Sequence, residues 1–294
     1  MPFGMFSYPE VVVLEGKVYV GGGSSISGRE DHIVMVYDTS CDDWRTLPPY
    51  KFHLFAITVV NDRLVLVGGA DKQSDKKTNV LGVWNKERQG WVDNKFPPMH
   101  TARSGAAVVT HNNRWIMVAG GCGNDKVTST SVEILDTFAG QWYHASAPLP
   151  QQLYKMSSAK IGNVWYLLGG YCNTHALHLV LSISLDNLIS QVVITTPVPL
   201  SLPWQSLPDT PLAGSTALAF KGALLAVGGE QEVERGSSAI HLYHCQSRRW
   251  MKVGELPTER KECGCMVLPS GEVFIVGGLI LPFMEQVDIG RVIL

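Results

Sequence analysis

The stretch KVYVGGG, Lys17 to Gly23, runs as a short apolar strand and stops at three glycines. Glycine inside a strand costs entropy and packs nothing, so the glycines mark the end of something. A phosphate-binding loop would need a Lys-Ser/Thr pair and a helix after its glycines. The residues that follow Gly23 are SSISGRED, with neither. A dinucleotide fold would also place a helix directly afterwards, and no helical periodicity is present.

The same ending recurs five times. YVGG, LVGG, VAGG, LLGG, AVGG and IVGG place the first glycine of each pair at 21, 68, 120, 169, 228 and 277. Successive differences are 47, 52, 49, 59 and 49. A repeat of about fifty residues is the length of a propeller blade. Trp44 and Trp91 follow their glycines by 23 residues, and Trp142 and Trp250 follow theirs by 22. Trp204 follows Gly169 by 35, which marks an insertion in the fourth copy. Seven residues before four of these tryptophans stand Tyr37, Trp84, Leu135 and Tyr243. Pro48, Pro97, Pro148, Pro208 and Pro257 follow the tryptophans closely. Strand-like runs such as VVVL (11–14), AITVV (56–60) and TALAF (216–220) lead into each diglycine strand through a tight turn.

Composition agrees with many short strands. The 294 residues carry 29 glycines and 16 prolines spread along the chain, which fits frequent turns rather than a low-complexity tail. Charged residues are 17% and the net charge is -2, so bulk electrostatics favour neither nucleic acid nor an anionic membrane. MPFGMFSYPEVVVLEG lacks a basic segment followed by a long apolar run and does not read as a signal peptide. The six cysteines, Cys41, Cys122, Cys172, Cys245, Cys263 and Cys265, are mostly isolated and read as reduced thiols. Cys263 and Cys265 read as small core residues. HALH (175–178) and HLYH (241–244) each hold two histidines three apart; the second lies on an expected strand, where that spacing points them to opposite sides, and neither pair alone is expected to form a metal site.

The diglycines, together with YDTSCDDW (37–44) and YHCQSRRW (243–250), resemble the kelch-repeat β-propeller family over nearly the whole chain. The resemblance implies an all-β, six-bladed propeller of four-stranded antiparallel blades with the last blade incomplete. The blades run approximately 4–50, 51–102, 103–151, 152–210, 211–259 and 260–294. Gly21 and Gly22 are read as the first pair, with Gly23 belonging to the loop. The fourth-copy insertion over residues 186–203 is rich in β-branched residues and prolines and is expected to be a long loop rather than a helix. The sixth copy ends before a tryptophan, so a fragment or an abbreviated product is expected and ring closure is left open.

Kelch propellers commonly act as scaffolds or substrate-recognition domains. They are often attached to BTB or F-box modules of ubiquitin ligases, or associated with the cytoskeleton. The resemblance therefore implies a non-catalytic protein-interaction module in the cytoplasm, with no cofactor and no metal. The alternative within the family is an enzyme of carbohydrate-active, mutarotase or oxidase type. Variable loops and blade-to-blade turns supply the candidate partner-binding residues Arg29, Lys51, His53, Asp75, Lys76, Arg103, Tyr154, Glu232, Arg235 and Arg260. Lys51, Arg103 and Arg260 each precede a diglycine by 17 residues. Two readings follow. The three cations line one axial mouth and capture an acidic segment of a protein partner, or they hydrogen-bond strand ends between blades. The enzyme alternative would gather Arg103, Arg260 and Glu232 at that mouth.

Overall fold

A computed structural model describes residues 6–25, 33–193, 203–232, 235–279 and 290–292. Among these, five repeats each form an antiparallel blade, four-stranded in the first four and joined in the fifth by a short extra strand, Glu230–Glu232. The third is representative: Ala107–His111, Trp115–Ala119, Val132–Asp136 and Gln141–His144 pair in sequence order. The sixth repeat contributes a three-stranded sheet, Gly264–Val267, Val273–Val276 and Gly290–Val292. The expected count of six blades is therefore corrected to five.

The lead strands stand around one axis. Each packs on the next, and Gly264–Val267 of the three-stranded sheet packs on Glu10–Leu14 of the first blade. Tyr8 N donates to Glu262 O at 2.9 Å across the same junction. One apolar cluster seals it, joining Val18, Val20, Met35 and Tyr37 to Leu268, Phe274 and Val276. Equivalent clusters fill the other inter-sheet spaces, as a sheet apolar on both faces requires.

The seven-residue spacing before each tryptophan is a cross-strand pairing. Tyr37 sits opposite Trp44, Trp84 opposite Trp91, Leu135 opposite Trp142 and Tyr243 opposite Trp250. Ring centroids of the aromatic pairs lie 5.0 to 5.3 Å apart. The prolines have a matching role. Trp91, Trp142 and Trp250 donate their indole N–H to the carbonyls of Pro48, Pro97 and Pro208 in the preceding repeat.

The diglycine explains itself at Gly68. Its φ is +65°, and a Cβ there would lie 2.4 Å from the Arg103 carbonyl oxygen of the next repeat. In the first repeat the residues in this role are Gly22 and Gly23, not Gly21 and Gly22. Gly22 has φ +69° and its Cβ would meet the Phe55 carbonyl oxygen at 2.3 Å, whereas Gly21 lies within the strand. The third glycine is therefore part of the blade, and the pair is shifted by one residue.

The fourth-repeat insertion departs from expectation. Leu185–Val193 form a helix, α1. Ser184 Oγ accepts from Asn187 N at 3.4 Å at its start, and Asp186 lies in the first turn, where the helix dipole favours an anion. Leu185 and Leu188 are fully buried beside Trp204. The apolar face outweighed the modest propensity cost of β-branched residues. Pro203 follows the helix rather than interrupting it.

All six cysteines are free thiols. Burial pushes the thiols of Cys263 and Cys265 upward, and both belong to the cluster between the fifth blade and the three-stranded sheet. No helix among the described residues is long and apolar enough to cross a membrane.

Candidate functional site

Alternation of the strands puts the blade-to-blade turns and the loops after the diglycines on one end of the axis. Backbone bridges tie the two sets together. Ser7 pairs with Ser24, His53 with Ala70, Ser104 with Cys122, Tyr154 with Tyr171, Ala213 with Glu230 and Lys261 with Leu279.

One residue beyond each of these turn positions, the chain bends toward the axis. Tyr8, Leu54, Gly105, Lys155, Gly214 and Glu262 occupy equivalent places, and all six have φ between 52° and 62°. They are linked by Gly105 N to Leu54 O (3.2 Å), Lys155 N to Gly105 O (2.7 Å), Glu262 N to Gly214 O (3.0 Å) and Tyr8 N to Glu262 O (2.9 Å). Four of the six are not glycine, so the left-handed backbone carries a steric cost there. In return, Tyr8, Lys155 and Glu262 are held rigidly at the mouth.

These side chains interlock. The Lys155 ammonium lies 4.8 Å from the Tyr8 ring centre. Glu262 accepts from Ser7 Oγ at 2.7 Å and from the Tyr171 hydroxyl at 3.0 Å. Tyr171 packs edge-on against Tyr8, at 6.1 Å between centroids, and against Tyr154 at 5.7 Å. Beneath them lies a cavity of about 80 Å³ whose lining includes Glu10, Lys155, Ser157, Ser215, Thr216 and Glu262. A smaller cavity of about 30 Å³ adjoins it on the Leu54 and Phe55 side.

Burial dominates the electrostatics. It pushes the Glu10 carboxyl up to about 8. The Lys155 ammonium is pushed down by burial, and Glu262 opposes this. Burial raises the Tyr171 phenol to about 12, so it is a hydrogen-bond donor at neutral pH. Two carboxyl groups and one ammonium thus line the mouth.

The sequence-predicted residues are dispersed. Arg103 is 1% exposed and donates to Gly120 O and Ser131 Oγ, both at 2.7 Å, and to the fully buried Glu133. Arg260 is 2% exposed and donates to Gly277 O at 3.1 Å. Both hold strand ends, and neither lines a cationic mouth; the expectation that they do is corrected. The enzyme alternative loses its arginines for the same reason. Lys51 is exposed and paired with Asp93. Its apparent equivalence to the arginines is an artefact of turn length. The third repeat has a three-residue hairpin turn between His111 and Trp115, whereas the second has two residues between Val60 and Arg63. Counting back 17 therefore lands one residue early in the second repeat, and Phe52 is the true counterpart.

Tyr154 reaches the rim and donates to Asn173 O at 2.9 Å. His53 is partly buried in the same tier of turns. Asp75 and Lys76 are exposed on the loop after the second diglycine, where Asp75 pairs with Lys77. Glu232 and Arg235 are backbone ladder partners. Arg29 lies outside the described residues.

Sequence reasoning missed Tyr8, Glu10, Lys155, Tyr171 and Glu262. The available signal was Glu10, a charged residue opening the apolar lead strand EVVVL, whose two faces both pack against neighbouring strands.

The KLHDC2/KLHL20/DRC7 Kelch-repeats domain model matches residues 54–278, and the Kelch motif model matches residues 5–49. Kelch-like protein 40 of Mus musculus is 29% identical over 158 residues, 52% of this chain and 24% of that protein. Kelch-like protein 41b of Danio rerio is 22% identical over 256 residues, 86% of this chain and 31% of that protein. Beta-scruin of Limulus polyphemus is 26% identical over 172 residues, 54% of this chain and 18% of that protein. The chain thus spans a third or less of the length of these relatives. The structure of YjhT superposes with a TM-score of 0.77 at 17% identity, covering 99% of this chain and 95% of that one. Matched over more than half its length by the family's own domain model, the chain belongs to the kelch-repeat family.

Proposed function

We propose that the propeller is a non-catalytic recognition module in the cytoplasm, a scaffold or substrate-recognition domain that docks a segment of a protein partner at its axial mouth. The observation that carries this reading is the ring of left-handed residues that fixes Tyr8, Lys155 and Glu262 around an open cavity. Rigid aromatic surface beside a few charged groups is the make-up of an interaction hot spot. Lys51, Arg103 and Arg260, read from the sequence, point to an acidic partner segment. With both arginines inside the protein and Glu10 held largely protonated at neutral pH by burial, the charged groups of the mouth are Glu262 and Lys155, and the Glu262 carboxylate beside the tyrosine rings suits a basic side chain instead. A partner Lys or Arg entering the cavity would stack on tyrosine and meet Glu262.

The test is a fluorescence-anisotropy titration with matched short peptides that carry arginine, glutamine or glutamate at the centre. The arginine peptide should bind best, and Glu262→Gln should weaken it at least tenfold while circular dichroism stays unchanged. Preference for the glutamate peptide, or an unchanged affinity in the variant, would refute the proposal.

A further inference from the structure

A second cluster, on the third blade, takes no part in the axial mouth. His144, on the outer strand Gln141–His144, sits directly opposite Glu133 in the neighbouring strand. His100 lies in the turn that leads from the second blade into the third. Its backbone N donates to Glu133 Oε2 at 2.7 Å, and its ring Nδ1 lies 3.2 Å from the same oxygen. The two imidazoles are stacked, with centroids 4.4 Å apart and planes 23° from parallel. One ligand atom from each of His100, Glu133 and His144 falls within 4.8 Å of the others.

The three groups differ in burial. Glu133 is fully buried, and its other oxygen is held by Arg103 and by the Thr101 backbone N at 3.1 Å. The imidazoles above it are exposed, His100 being 45% exposed. A buried, hydrogen-bonded carboxylate under two exposed imidazoles is a three-donor set at the protein surface. Two imidazoles and one carboxylate match a borderline divalent transition metal and not the oxygen-only shells of magnesium or calcium. Arg103, bonded to the far oxygen, orients the carboxylate as outer partners of metal ligands do.

We propose that His100, Glu133 and His144 form a binding site for one divalent transition-metal ion of the Zn²⁺ type. Ligands from the blade-to-blade turn and from the outer strand of the third blade would then be tied together, so the ion fastens the second blade's exit to the third. This site is independent of the partner-binding reading.

Isothermal titration calorimetry with Zn²⁺ on tag-free protein tests it, with His100→Ala and His144→Ala run alongside. Nine histidines in the chain make both variants necessary to separate this site from stray binding. Glu133 is left intact because its removal would strand the buried Arg103. The expected result is one Zn²⁺ bound per chain at micromolar concentration, affinity at least tenfold weaker in each variant, and no heat from Mg²⁺. Absence of Zn²⁺ binding at 100 µM, Mg²⁺ binding of equal strength, or less than a tenfold loss in either variant overturns the proposal.

Discussion

The indole Nε1 of Trp142 donates a 2.8 Å hydrogen bond to the carbonyl of Pro97, a residue of the preceding repeat. The same bond links Trp91 to Pro48 and Trp250 to Pro208. In these three pairs the tryptophan of one repeat and the proline of the repeat before it are two ends of one inter-blade clasp, while Trp204 donates instead to Ala147 O at 3.2 Å. Trp142 is 6% exposed, so removing the donor leaves a carbonyl with poor access to water. Trp142→Phe should cost about 1 to 3 kcal/mol in urea-unfolding stability. Trp44 has no hydrogen-bond partner for its Nε1 among the described residues. Trp44→Phe should therefore cost less than Trp142→Phe by about 1 kcal/mol. Equal losses would mean that area, not the bond, decides.

The one-residue shift in the first diglycine is testable by substitution. Gly22 has φ +69°, and a Cβ there would lie 2.3 Å from the Phe55 carbonyl oxygen. Gly21 has no positive φ, and its Cβ would meet the Phe55 and Val34 side chains at 3.1 Å, which can shift by tenths of an ångström. Gly22→Ala should destabilise by more than about 2 kcal/mol, combining left-handed strain with a backbone clash. Gly21→Ala should cost clearly less. The measurement is the midpoint of thermal unfolding of the two variants, and the reverse order would restore the frame in which Gly21 leads the pair.

The repeat frame was legible because its signals are local and redundant. Glycine ends a strand, tryptophan faces its cross-strand partner, and the spacing between them is set by hairpin geometry. The site was less legible because it depends on position around an axis, and a single extra turn residue displaces any count. Arg103 and Lys51 share a distance from their diglycines but not a place in the fold, since the third hairpin holds one more residue. Side-chain fate was also hidden. Whether Arg103 faces a partner or caps strand ends depends on Glu133 and Ser131, some thirty residues away. The helix Leu185–Val193 was obscured because propensity argued against it, while its stability comes from Leu185 and Leu188 packing beside Trp204.

Glu10 makes stability depend on pH in a direction unusual for a carboxylate. Burial raises it to about 8 in the folded chain, against an ordinary value of 4.5. The folded state therefore holds a proton that the unfolded state releases between those two values. The stabilisation this gives is complete below pH 4.5 and is lost as pH rises through 8. Lys155 and Glu262, which share the cavity lining with Glu10, remain in place in a Glu10→Gln variant. Glutamine keeps the shape and cannot ionise. Wild type and Glu10→Gln should thus have similar unfolding midpoints near pH 5, and the variant should gain progressively over wild type toward pH 9, outside the ordinary carboxylate range. A difference between the two that stays constant from pH 5 to 9 would show that the Glu10 carboxyl is well hydrated and that the axial cavity is wet to its floor.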